Sequence, residues 1–299
     1  MVPAALLAIA VVRLDSWEIP VGMVPIWAVA LIVVLNLGLY LPVRAIRWGS
    51  ALERPPPFAQ LYLAQAEGLL AGAAVGFGAQ DVVRAARLRE TRGGLAADLG
   101  ATIAERIGEF LALGLLATLA ALFGEVHLWV VGASALMLGV YAWMILRGAR
   151  LLPVLSRWPR LAELSAAVLR SSRPRVAVRV VALSLAGWGI ESGILLLAFH
   201  AFGLPVSLGA ALLVLVSINL AIAIPGPPAH FGTFEAGVVF SLSLRGIPVA
   251  QALAFALSYH VILAVPVWVV GAAAFLLRRR SSDRAAEAPA PSHPESASR

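Results

Sequence analysis

"IPGPPAHFGTFEAG", residues 224–237, places prolines, glycines, a histidine and a glutamate between two strongly apolar stretches. In hydrocarbon, each backbone group left without a partner costs several kcal/mol, so a helix cannot break there unless protein or a water-lined cavity takes up the freed groups. The stretch is therefore either a surface loop or a turn held inside a protein. Charge along the rest of the chain distinguishes the two.

The 299-residue chain is 61% hydrophobic and 13% charged, with a mean hydropathy of +0.89. That is too apolar for a soluble surface. The apolar runs are long and unbroken, unlike the short alternating strands of an outer-membrane barrel. We read an all-α, polytopic transmembrane helical bundle. Residues 1–280 form one transmembrane domain, and 281–299 form a cytoplasmic tail whose composition suggests disorder. The absence of cysteine excludes disulfides, thiolate metal sites and a cysteine nucleophile. A formal charge of +7, mostly arginine in a few loops, sets orientation and attracts anionic headgroups; it does not argue for nucleic acid.

Full spans are expected near residues 25–43, 101–122, 128–146, 179–200 and 250–277, with residues 3–12 a clipped first span. Arginines cluster in 44–54, 84–92, 147–175 and 278–284. The positive-inside rule makes these segments cytoplasmic, in a plasma (inner) membrane with the C-terminus inside. The connections at 13–24, 123–127 and 201–206 then lie outside. Residues 58–80 begin and end on the cytoplasmic side, so they must enter and turn back. Residues 207–244 begin and end outside, and the quoted stretch becomes their turn. Two re-entrant hairpins from opposite faces are the pattern of an inverted repeat.

Ionisable groups within spans cost roughly 2.5–3.5 kcal/mol on insertion scales and are functional candidates. Asn36, Tyr40, Arg44 and Arg47 follow helical spacing down one face. Asp81 and Arg84 lie where the first hairpin returns. "AERIGE" sets Glu105, Arg106 and Glu109 at the entry to the next helix, where opposite charges can pair. Glu191, in "AGWGIESGILLL", needs a partner from another helix or a proton. Tyr259 and His260 interrupt the last helix. His230 and Glu235 lack the spacing of a zinc site, and no metal or cofactor is implied. GxSxG, P-loop and GxGxxG patterns do not occur, so serine hydrolysis and nucleotide-driven pumping find no support.

The segments "LGLYLPVRAIRW", "GFGAQDVVRAARL", "ATIAERIGEF" and "IPGPPAHFGTFEAG" together resemble the transmembrane part of the lysylphosphatidylglycerol synthase family, over roughly residues 25–277. The matching motifs are Arg47 with Trp48, Asp81 with Arg84, Glu105 with Arg106, and a proline-glycine element at Pro225, Pro228, Gly232 and Glu235. Gln80 stands for the glycine before the aspartate, Ala229 and His230 for paired glycines, and His260 for an arginine common after the tyrosine. In the best-known relatives this membrane part is similar to a lipid flippase and is fused to a soluble aminoacyl transferase domain, and synthase activity is not expected of residues 1–280 alone. The resemblance implies a transporter rather than an enzyme. It would move a phospholipid or polyprenyl-linked glycolipid between leaflets through a cavity at the hairpin tips. Expected substrate contacts are Arg47, Asp81, Arg84, Glu105, Arg106, Pro225, Pro228, His230, Gly232 and Glu235, with Asn36, Glu191, Tyr259 and His260 as further candidates. Expected partners are anionic membrane lipids, and beside them a second copy of the chain in a homo-oligomer or an envelope-lipid enzyme. Two other readings stay open: a membrane-embedded transferase using Glu191 or Glu235 as acid or base, and a non-transporting partner of an envelope-lipid enzyme.

Overall fold

The computed structural model describes residues 24–76, 78–92, 95–122, 173–205, 207–222 and 227–287, with single positions at 132, 135, 139, 166 and 168. The described residues are helical, without strands. In chain order they form α1 (Ile26–Ala51), α2 (Phe58–Val75), α3 (Ala79–Arg92), α4 (Leu95–Leu122), α5 (Pro174–Ala201), α6 (Leu208–Ile222), α7 (Thr233–Ser243) and α8 (Val249–Glu287). Among them, Ile26–Ala51, Pro174–Ala201 and Val249–Arg280 are long and apolar enough to cross a membrane. The expected spans at 25–43, 179–200 and 250–277 fall on these helices. The short N-terminal stretch and most of 128–146 and 147–175 lie outside the described residues. The last helix runs to Glu287, into the segment whose composition suggests disorder.

The bundle is apolar on its surface and holds charged side chains within an otherwise apolar interior. Trp27, Val34, Val178, Val269 and Leu277 are exposed, while Arg47, Gln65, Glu67, Arg84, Glu105 and Glu235 are buried. Such an arrangement suits lipid as the solvent, because helix association there relies on close packing and internal polar contacts.

Inside α1, Pro42 offers no N–H and its ring crowds the carbonyl four residues back. The ladder widens into a π-turn over Asn36–Tyr40 just before it. Neighbouring side chains hold this turn: the Tyr62 hydroxyl donates to the Leu37 carbonyl at 3.0 Å, and the Asn36 amide donates to the Leu263 carbonyl of α8 at 2.9 Å.

Two pairs of helices lie antiparallel. In the first, Gly68 and Gly72 of α2 face Gln80 of α3, and Gln65 reaches Arg84 further along. A Cβ on Gly68 would sit 2.8 Å from the Gln80 carbonyl oxygen, so only glycine permits this approach. In the second, Gly237 of α7 faces Ser217 and Ile218 of α6, and Ser241 lies by Leu213. At about 1.5 Å per residue, α7 extends only about 16 Å and α6 about 22 Å, short of the ~30 Å hydrocarbon core. The 3₁₀ turn Pro228–His230 packs against α2, bringing the turn of the second pair to the side of the first.

A Cβ at position 237 would meet the Ile218 Cα and the Ser217 oxygen at 2.9 Å, and backbone cannot step aside as a side chain can. Gly237→Ala is expected to destabilise the protein by about 1–3 kcal/mol, the usual cost of overpacking. Thermal unfolding in detergent measures it; an unchanged midpoint would mean that α6 and α7 are free to part.

Candidate functional site

Six charged side chains from α1, α3 and α4 close into a ring. Arg47 places Nε 2.9 Å from Glu105 and Nη2 2.9 Å from Glu109. Arg84 Nη2 lies 2.8 Å from the other Glu105 oxygen and 3.1 Å from Asp81. Arg106 completes the circuit, 3.1 Å from Asp81 and 2.8 Å from Glu109. Every arginine touches two carboxylates and every carboxylate two arginines, so the formal charges cancel.

The ring is anchored from several sides. The Arg84 guanidinium also donates to Gln65 at 2.9 Å and lies 4.5 Å from the centre of the Trp48 ring. That indole donates to Thr102 at 3.1 Å, which explains why the tryptophan follows Arg47 directly. Buried charges survive only when paired and hydrogen-bonded in this way. Beside the ring, Glu67 holds Arg87 at 3.1 Å and Arg278 at 3.5 Å, tying α2, α3 and α8 together.

One side of the ring faces a cavity of about 420 Å³. Asp81, Arg106 and Glu109 line it, while Arg47, Arg84 and Glu105 lie behind them, at most 4% exposed. Asn36, Tyr40 and Arg44 from α1 and Glu191 from α5 also line the cavity. The Arg44 guanidinium sits 5.6 Å from the Tyr40 ring centre. Its Nε is buried without a hydrogen-bond partner, and Arg44 forms no ion pair among the described residues. Glu191 lies within side-chain hydrogen-bonding reach of Tyr40, but its Oε2 has no partner. A larger, more open groove of about 620 Å³ between Ile46, Phe58 and Leu183 is almost wholly apolar, with Arg179 its only charged residue.

The quoted stretch supplies the remaining edge. Pro225 lies outside the described residues. Pro228 opens the 3₁₀ turn, within which Ala229 and His230 take left-handed φ angles of 56° and 59°. This is conformational ground that favours glycine, and it costs a side-chain-bearing residue of order 1–3 kcal/mol. Gly232, at φ 87°, donates its N–H to Glu235 Oε2 at 2.6 Å and so starts α7. Glu235 Oε1 meets His260 Nδ1 at 2.7 Å. His230 and His260 both line the cavity.

Thus Asp81, Arg106, His230, His260, Asn36 and Glu191 come together at the cavity, and Arg47, Arg84 and Glu105 form its support. Gly232 and Glu235 build the turn beside it. Tyr259 is elsewhere: it packs in the core, stacked 5.5 Å from Phe255, and its hydroxyl has no partner among the described residues. Arg44 and Glu109 were absent from the expected substrate contacts. Their signals were Arg44 four residues after Tyr40, and Glu109 four after Glu105, which puts both acids on the face that meets Arg47.

An all-helical, multi-pass membrane protein with an interior polar cavity is the class these features define. The pattern of the lysylphosphatidylglycerol synthase TM region family matches residues 4–271, and the chain belongs to that family. No curated protein and no solved structure matches it.

Proposed function

We propose that this protein moves a lipid with an anionic headgroup, a phospholipid or a polyprenyl-linked glycolipid, between the leaflets of the inner membrane. The observation that carries the reading is the polar cavity of about 420 Å³ inside a bundle whose outer surface is apolar. A headgroup can cross there while its acyl chains stay in lipid. The family's tie to membrane lipids supports it. Among the cavity's arginines, Arg106 is committed to Asp81 and Glu109, whereas Arg44 retains an unpartnered Nε and is the cation left to bind phosphate. A guanidinium suits that task because its fork matches phosphate oxygens.

In this reading the α2–α3 and α6–α7 pairs are re-entrant hairpins of opposite orientation. The shortness of α6 and α7 and the distribution of arginine support that arrangement. Rocking of one hairpin against the rest would expose the cavity to each side in turn. Cysteine introduced at Arg89 is expected to label only from the cytoplasm, and at Arg245 only from outside; the chain has no native cysteine to interfere. Labelling of position 245 from the cytoplasm would make residues 207–244 a single span.

Reconstitution of the pure protein with fluorescent lipids tests the function itself. Leaflet exchange without chemical change to the lipid supports it. A modified lipid product would assign a transferase instead, and neither activity would leave a non-transporting role.

A further inference from the structure

We propose that the His260–Glu235 pair is a proton-binding station whose occupancy is coupled to the anion in the cavity, so that a headgroup enters together with a proton. The inference rests on the headgroup reading above. Glu235 is 1% exposed and both its oxygens are spent, one on the Gly232 N–H and one on His260 Nδ1. Phe234 stacks on the imidazole with centroids 4.2 Å apart, and Phe231 lies 4.9 Å away. These rings and the carboxylate fix the imidazole in place. Nδ1–H donates to Glu235 in the neutral and the charged form alike, so Nε2 is the nitrogen at which a proton arrives or leaves. It is also the ring nitrogen left to meet the cavity that His260 lines.

The charged groups facing that cavity come from every side: Arg44 of α1, Asp81 of α3, Arg106 and Glu109 of α4, and Glu191 of α5, with His230 on the turn. Asn219 of α6 adds only a neutral amide, and Tyr259 of α8 a hydroxyl buried in the core. The ring's own charges cancel, so the ionisable side chains at this surface outside it are Tyr40, Arg44, Glu191 and the two histidines. A phosphate entering it adds negative charge, and a proton on Nε2 offsets part of that charge across a poorly screened interior. The coupling is reciprocal: the anion raises the affinity for the proton, and the proton raises the affinity for the anion. The proton comes from the acid form of the bulk buffer, relayed through water in the cavity, and forms an N–H bond at Nε2; no other bond changes. The same carboxylate caps α7 directly after the left-handed residues Ala229 and His230, so a change in its pull acts on the hairpin tip.

Calorimetric binding of short-chain phosphatidylglycerol to the detergent-solubilised protein, in buffers of different ionisation enthalpy, counts protons taken up with the lipid. The wild type is expected to take up protons with the lipid and to bind on the order of tenfold tighter at about pH 5.5 than at about pH 7.5. His260→Arg keeps the charge and the pairing, so it is expected to bind without proton uptake and with a flat pH profile. His260→Gln is expected to bind weakly and flatly. Wild-type binding without proton uptake, or uptake retained in His260→Arg, would overturn the coupling while leaving the headgroup reading in place. Absence of binding at every pH would overturn both.

Discussion

Glu105→Gln is expected to lower stability by about 3–5 kcal/mol, the cost of removing one member of a buried ion pair. Glu105 is 1% exposed and bridges Arg47 and Arg84, so its loss leaves two buried arginines sharing two carboxylates with Arg106. In an apolar bundle that surplus charge has no solvent to retreat to. Denaturation in detergent measures the loss. The double variant Glu105→Gln with Arg84→Gln restores the ring's balance and is expected to recover part of it. Equal midpoints for the wild type and Glu105→Gln would show that the ring does not hold α1, α3 and α4 together. The same geometry separates two arginines of similar sequence context. Arg84→Ala is expected to fail in folding, because its side chain is 1% exposed. Arg106→Ala, 28% exposed and on the cavity wall, is expected to insert and lose transport.

Arg44→Gln is expected to reduce anionic lipid exchange at least about tenfold with the fold intact. The magnitude follows from losing a hydrogen bond to a charged group, about 1.5–3 kcal/mol. Folding is spared because Arg44 has no ion pair to break among the described residues, and the polar amide keeps most of the side chain's contacts. Arg44→Lys should restore part of the rate, since it returns the charge without the planar fork. Exchange assayed beside thermal unfolding separates the two effects. Full activity in Arg44→Gln would move phosphate recognition to another residue.

Helical class and the paired charges were legible from sequence because hydropathy and an arginine after a long apolar run leave little choice. The pairing pattern was legible only in part. Asp81, Arg84, Glu105 and Arg106 announced an ion cluster, but closure into a ring depends on α4 packing against both α1 and α3, which no local spacing encodes. The face Asn36–Tyr40–Arg44–Arg47 also divides: the first three line the cavity, while Arg47, three residues beyond Arg44 and so about 60° round the helix, turns into the ring behind it. Glu235, expected among the substrate contacts, meets His260 instead, because the long-range partner of a helix-start carboxylate is set by how α7 lies on α8. Tyr259 drew notice as a polar group in an apolar helix, although an aromatic ring stacked in a core needs little from its hydroxyl.

The most direct test of a headgroup path through the cavity is to plug it. Asn219 lines the cavity, and with no other cysteine in the chain Asn219→Cys provides a unique thiol there. Leaflet exchange by this variant in reconstituted vesicles, measured before and after reaction with a bulky maleimide, is expected to stop on modification, while the cysteine-free protein is unaffected by the same reagent. Exchange that continues at full rate through a modified protein would contradict the account, because the lipid would then be travelling by another route.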